Sequence, residues 1–384
     1  MPQIDASWLD STLQELVRIN SINPTLDPRA AGERAISEYI ATSLGALGLD
    51  VTIHDLGPGR ASVVGRLRGS APGRTLMLNA HIDTVDVEGM DAPFSGDIHA
   101  GRLYGRGSYD MKGGLAAMMA AVKALADAGC PHGGEILLAG VADEEYASLG
   151  TQDLLGRYQV DGAIVTEPTA LDICLAHKGF IWFEVTTHGR AAHGSRFDLG
   201  IDANMRMGRV LADLDRLEQD LRGRPPHALV GPPSLHAAML AGGTGLSTYA
   251  ASCSLKIERR TIPGEQTAQV VEEIDGILQK QMARDPSFEA DLKVVLVREP
   301  FEVSPDASVV RALTDGASAV LGHPPAYVGQ TPWMDAALLS ASGIETVVMG
   351  ASGAGAHAKE EWADLPSVHA LAQCLVEAAL RYCR

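Results

Sequence analysis

The chain reads as an α/β protein in which one domain interrupts another. Three observations predict this. Near-continuous apolar runs at residues 75–80, 135–142, 163–166 and 345–349 alternate with helical patterns, as buried sheet strands flanked by helices do. From about residue 180 to residue 298 the order becomes strand, helix, strand, strand, helix, strand, a split βαβ arrangement large enough to stand alone. After Pro300 the first pattern resumes, so residues 1–179 and 300–384 form one domain and residues 180–299 a second inserted into it.

Trp8, Leu9, Leu13, Leu16 and Val17 make an amphipathic first helix ending at Asn23-Pro24, and a second runs over 31–47 before Gly48. Strands at 50–54 and 62–67 precede the buried strand 75–80, which delivers His81-Ile82-Asp83 at its C-terminal end. The stretch Gly105-Arg106-Gly107-Ser108-Tyr109-Asp110-Met111-Lys112-Gly113-Gly114 then sets one carboxylate, Asp110, in a tight loop. Its glycines let the backbone pass close to whatever that carboxylate holds. Leu115, Met118, Met119, Val122 and Leu125 recur at helical spacing until Gly129 and Pro131 stop the pattern. Strand 135–142 ends in Asp143-Glu144-Glu145, and strand 163–166 in Glu167-Pro168. The insert carries strands at 181–188, 234–240, 252–260 and 288–298 and helices at 201–221 and 266–284. Helices at 308–321, 335–341 and 367–382 close the chain, with the strand 345–349 running into Gly353-Ala354-Gly355-Ala356-His357.

Composition narrows the function. A formal net charge of −17 argues against nucleic acid or an anionic membrane as partner. Five cysteines, scattered and without a CxxC pair, fit a reducing compartment and exclude a thiolate zinc site of the finger type. The first twenty residues lack a basic leader, and no apolar run approaches the roughly 18 residues that span a bilayer. A cytoplasmic protein is expected.

His81, Glu144, Glu145, Glu167 and His357 all follow apolar strands, and ligands in open α/β sheets bind outside the carboxyl ends of strands. Asp110 can join them from its loop. Singly, such residues are more often caps or solvated surface; their joint placement carries the argument. Two imidazoles and several carboxylates suit a pair of zinc-like ions about 3.5–4 Å apart. One carboxylate must bridge, and each ion then needs one His and one further carboxylate. In His81-Ile82-Asp83 the carboxylate can accept the other ring N–H of His81 and fix its tautomer. Adjacent glutamates rarely both bind metal, so one of Glu144 and Glu145 is free to take a proton from metal-bound water.

These segments resemble the M20 family of co-catalytic zinc amidohydrolases, in its acetylornithine deacetylase and succinyl-diaminopimelate desuccinylase branch. The matching stretches are Ala80-His81-Ile82-Asp83-Thr84-Val85, the Gly105 to Gly114 stretch, Asp143-Glu144-Glu145, Thr166-Glu167-Pro168 and Gly355-Ala356-His357-Ala358-Lys359-Glu360-Glu361-Trp362, in the family's order. The resemblance implies a zinc-exopeptidase-like catalytic domain, its mixed sheet flanked by helices, with a ferredoxin-like (βαββαβ) lid. It implies two Zn2+ ions, with Co2+ or Mn2+ as substitutes. Asp110 would bridge them, His81 and Glu167 would hold one, and Glu145 and His357 the other. Glu144 would be the general base toward a water held between the ions, and Asp83 the orienter of His81.

In the lid, His193 matches a histidine that polarises the scissile carbonyl, and Arg260, expected to be buried near the site, matches an arginine that holds the substrate carboxylate. Ser247 stands where the family usually has Asn, which alters one polar contact to substrate. Glu at 167 is the residue of the deacylases, family dipeptidases carrying Asp. The implied substrate is a small N-acyl-L-amino acid, and the implied assembly a homodimer through the lid. The dipeptidase or carboxypeptidase reading is the alternative within the family. Further rivals are a metal-binding relative without activity, serving as a binding protein, and a nucleotide-binding oxidoreductase, the latter because Gly353 to Ala358 matches the loose fingerprint G-x-G-x-x-A.

Overall fold

The computed structural model describes residues 2–384, which gather into two compact units. One takes the chain up to Leu175 together with Val303–Val328 and Met334–Arg384; the other is Ala176–Glu302 with Gly329–Trp333. The short return of Gly329–Trp333 to the inserted unit has no marker in the sequence.

In the first unit the sheet is mixed. From one edge its strands run Asp50–Gly57, Arg60–Arg68, Gly133–Val141, Ala71–His81, Gly162–Val165 and Glu345–Val348. The last four are parallel, and the two at the edge are antiparallel. Leu76, Leu78, Ile136, Leu138, Ile164 and Val347 are fully buried, so these strands read as unbroken apolar runs rather than alternating ones. The register sets His81 opposite Val141, and Val165 opposite both Asn79 and Val348. Four carboxyl ends therefore finish level on one edge of the sheet, each leading into a candidate ligand.

Helices Arg34–Ala46, Gly113–Asp127, Ser308–Leu321 and Leu365–Tyr382 pack on this sheet. Gly113–Asp127 is buried around most of its girth, because alanines stand between the large residues Leu115, Met118, Met119, Val122 and Leu125. Its start is pressed against the end of a strand. A Cβ on Gly114 would lie 2.3 Å from the Thr166 carbonyl oxygen, so only glycine fits beside the segment that presents Glu167.

Some elements differ from expectation. The first helix is Ala6–Arg18 and stops before Asn23, because Asn20 Oδ1 accepts the Ile22 amide at 3.1 Å and offers the backbone a turn instead. Ile173–His177 is a further strand of the sheet. Ile98–His99, Arg102–Tyr104, Trp362–Asp364 and Gly353–Ala354 form a small second sheet, too short to show any periodicity in the sequence. Its pairing of Trp362 with Tyr104 ties the Asp110 segment to the His357 segment. It also removes the oxidoreductase reading: Gly353–Ala354 is a strand, and the next helix begins only at Leu365, so the fingerprint opens no helix.

The second unit carries an antiparallel sheet in the order Ser234–Gly242, Ser252–Thr261, Gly179–His188, Glu289–Arg298. Helices Ala203–Gly223 and Thr267–Arg284 supply Met207, Val210, Leu214, Val270 and Ile274 to a core with Ile181, Phe183, Val185, Leu255 and Ile257. In chain order these elements are β-α-β-β-α-β, the ferredoxin-like arrangement.

Candidate metal centre

The first unit brings six of the expected side chains to one point. His81 ends its strand almost wholly buried, with Nε2 3.1 Å from Asp110 Oδ1 and 3.6 Å from Glu167 Oε1. His357 lies across from it, more exposed, with Nε2 3.0 Å from Glu145 Oε2 and 3.5 Å from Asp110 Oδ2. Asp110 thus divides its two oxygens between the two imidazoles. Donor atoms of His81, Glu144 and Glu167 lie within 4.8 Å of one another, and so do those of His81, Asp110 and Glu145.

The pair Glu144-Glu145 owes its placement to the residue before it. Asp143 sits in the left-handed region at φ 72°, and its carbonyl accepts the Ala147 amide at 3.0 Å. Its buried carboxylate is paired with Arg60 and accepts Asn23 Nδ2 at 3.0 Å, which holds this unusual backbone in place. Asp83 adds two further restraints, accepting the Glu144 amide at 3.1 Å and the Glu145 amide at 3.2 Å.

That geometry revises one expectation. His81 Nδ1 is 3.0 Å from the backbone oxygen of Asp83 and 3.7 Å from its carboxylate. The main-chain carbonyl is the acceptor for the ring, and the carboxylate instead holds the Glu144-Glu145 turn. His-x-Asp places the right residue without saying which of its atoms is used.

Electrostatics show what this cluster needs. Burial, reinforced by neighbouring carboxylates, raises Glu144 and Glu167 well above the ordinary carboxylate range. Burial also raises Glu145, against a hydrogen bond from His357. Burial opposes charge on Asp110, but hydrogen bonds from His357 and His81 outweigh it and hold its carboxyl well below the usual range. Hydrogen bonds to Asp110 and Glu145 lift His357 to about 10. Burial works against charge on His81, and the carboxylates of Glu167 and Asp110 overcome it. Four carboxylates crowded round two imidazoles form an excess of negative donors, all nitrogen or oxygen, and this donor set fits divalent cations of the zinc class.

Three further expected residues belong to the second unit. His193 is exposed, with Nδ1 2.8 Å from Ser195 Oγ, and its backbone bridges that of Thr248. The Gly194 amide donates to the Ser247 carbonyl at 2.7 Å, so the His193 and Ser247 loops lie side by side. Arg260 was expected to be a buried arginine, and the buried one is its neighbour. On Ser252–Thr261 the residues Cys253, Leu255, Ile257 and Arg259 alternate into the core, where Arg259 is bonded to Glu265. Arg260 faces the other way, partly exposed, 5.2 Å from the Phe180 ring and bonded through Nε to Glu258 at 2.8 Å.

Asn23, Arg60, Asp143 and Glu361 were not foreseen as parts of the site. Nothing local marks Asn23 and Arg60, whose partners are distant in sequence, and Asp143 lies within a matching stretch that does not announce its burial. Glu361 lies within a matching stretch but carries no signal of burial.

The description "Peptidase family M20/M25/M40" belongs to a family model that matches residues 77–381. The chain belongs to that family. It is similar to an acetylornithine deacetylase of Myxococcus xanthus, 29% identical over 89% of this chain and 88% of the relative. An N-formyl-4-amino-5-aminomethyl-2-methylpyrimidine deformylase of Bacillus subtilis is 31% identical over 65% of this chain, spanning 62% of the relative's length. Among solved structures, the fold is shared with aminopeptidase PepT of Bacillus cereus at a TM-score of 0.81 and 19% identity, over 99% of each chain. It is shared as well with an M20 family metallo-carboxypeptidase of Sulfolobus solfataricus at 0.79 and 21%, over 97% of this chain and 98% of that one.

Proposed function

We propose that this M20 member is a two-metal amidohydrolase that removes the acyl group from small N-acyl amino acids bearing a free carboxylate. The observation that carries the metal reading is Asp110, whose two oxygens face two different imidazoles, the arrangement a bridging carboxylate requires. His81 with Glu167 would hold one ion and His357 with Glu145 the other. The ions are zinc in this reading, with cobalt or manganese able to replace it. When bound, such a pair supplies Lewis acidity that acidifies water and polarises an amide carbonyl.

The protein's own groups do the rest. Glu144 takes a proton from the attacking water and returns it to the leaving amine, so the C–N bond breaks with charge balanced. Asp83 keeps Glu144 and Glu145 at their stations through the two amides it accepts. His193 donates toward the oxyanion that develops on the acyl carbonyl. Arg260 takes the substrate's α-carboxylate, which its planar fork suits, and Ser247 supplies a shorter polar contact than the usual Asn.

Deacylase is favoured over dipeptidase by Glu167 and by the relatives named for deacetylation and deformylation. No disulfide joins the five cysteines among the described residues, which fits a cytoplasmic protein, and no helix among the described residues is long and apolar enough to cross a membrane. A homodimer would form through the inserted unit, whose edge strand Ser234–Gly242 exposes Met239 and Leu240. The test is a panel of N-formyl, N-acetyl and N-succinyl amino acids, their amides, and unblocked dipeptides. Turnover confined to the N-acyl amino acids with a free carboxylate is expected. Equal turnover of acid and amide would remove the Arg260 clamp, and cleavage of dipeptides alone would replace the deacylase reading.

A further inference from the structure

Glu361 is the most heavily engaged carboxylate near the metal centre that the proposed chemistry leaves without a task. It is buried, four residues beyond His357, and both its oxygens are used. Oε1 accepts the amides of Tyr109 and Asp110, each at 3.0 Å. Oε2 accepts the Gly107 amide at 3.0 Å and Arg106 Nη1 at 2.6 Å. The Glu361 carbonyl takes the Gly105 amide at 3.0 Å, and Arg106 Nη2 returns to the Ala358 carbonyl at 3.0 Å. One side chain from the His357 loop therefore fills the concave row of N–H groups that the Asp110 loop presents, as an anion fills a backbone nest.

We infer that Glu361 is the positioning residue of Asp110, and that it couples the two loops carrying the bridging carboxylate and His357. The inference rests on the two-metal reading above. A bridging carboxylate must aim its oxygens at two points at once, so a small rotation of its backbone spoils both. Glu361 bonds the Asp110 amide directly, and the same carboxylate is anchored in the loop that presents His357. Neither oxygen is left to bind metal itself. Its role is orientation, and outer-shell groups of this kind are worth about 10- to 100-fold in metal affinity.

Cobalt(II) titrated into metal-free protein, with absorbance spectra and a competing chelator, tests this in the wild type, Glu361→Gln and Arg106→Gln. In Glu361→Gln the side-chain NH2 group must face two N–H donors whichever way the amide turns. The expected result is a Glu361→Gln protein with wild-type circular dichroism, affinity for at least one cobalt ion lowered about 10- to 100-fold, and a changed ligand-field spectrum. Arg106→Gln keeps the Tyr109 and Asp110 amides on Glu361 and should lose less. Glu361→Asp, which retracts the carboxylate by one methylene, is read in the same way should the Gln variant not fold. Wild-type affinity and spectrum in the folded variants would overturn the inference. Equal losses in Glu361→Gln and Arg106→Gln would do so too, reducing Glu361 to the counter-ion of a buried arginine. Wild type that binds no cobalt would instead sink the metal reading itself.

Discussion

At the residue scale, neighbours in sequence meet different surroundings. Glu145 reaches His357, whereas Glu144 lies toward His81 and Glu167. Glu144→Ala should keep its metal and lose about 10²–10⁴ in kcat, the worth of a general base. Glu145→Ala should lose metal. Metal analysis beside kinetics decides this, and the reverse pattern would exchange the two roles. Arg259 and Arg260 form a second such pair. Arg260→Lys should raise KM for the N-acyl acid with little change in the unfolding temperature. Arg259→Lys should lower the unfolding temperature, because it breaks a buried pairing with Glu265. The side chains proposed for the metal centre were legible in the sequence as candidates, mostly because they follow apolar strands. The atoms they use were not: Asp83 turns its carbonyl to His81 and its carboxylate to the next strand's turn.

At the scale of elements, long strands and helices announced themselves by burial and period, and the strand order β-α-β-β-α-β of the insert was readable throughout. The small sheet joining Arg102–Tyr104 to Trp362–Asp364 was not, since pairing across more than 250 residues leaves no local trace. One helix start carries a sharp test. Gly114→Ala would place a methyl against the Thr166 carbonyl, so it should lower stability and loosen metal binding at Glu167 together. Wild-type behaviour in both measurements would show that the contact yields freely.

A second test at this scale concerns Glu33, buried before helix Arg34–Ala46. Burial and the nearby Asp83 push its carboxyl up to about 8, against the pull of Arg60. Between its ordinary value of 4.5 and about 8 the folded chain holds this proton and the unfolded chain does not. Stability from this group therefore falls as pH rises through that window. Glu33→Gln should gain on the wild type in unfolding temperature from pH 5 to pH 8, measured metal-free. A difference that does not vary with pH would contradict this.

At the scale of the whole molecule, the candidate metal ligands all belong to one compact unit, while His193, Ser247 and Arg260 belong to the other. The sequence already divides them between two expected domains, because the insert changes its pattern of elements. It could not reveal that Gly329–Trp333 joins the inserted unit, a five-residue segment with no period of its own. Because the second unit holds no ligand in this account, His193→Ala should leave metal content unchanged and lower kcat. Unchanged kcat would take His193 out of the mechanism. The most direct test of the central claim follows both metal and turnover in one preparation. Metal-free protein is titrated with zinc while hydrolysis of an N-acetyl amino acid is recorded. No turnover is expected at the start, and recovery should be complete only when two ions per chain are bound. Full turnover in protein shown to contain no metal would contradict that claim.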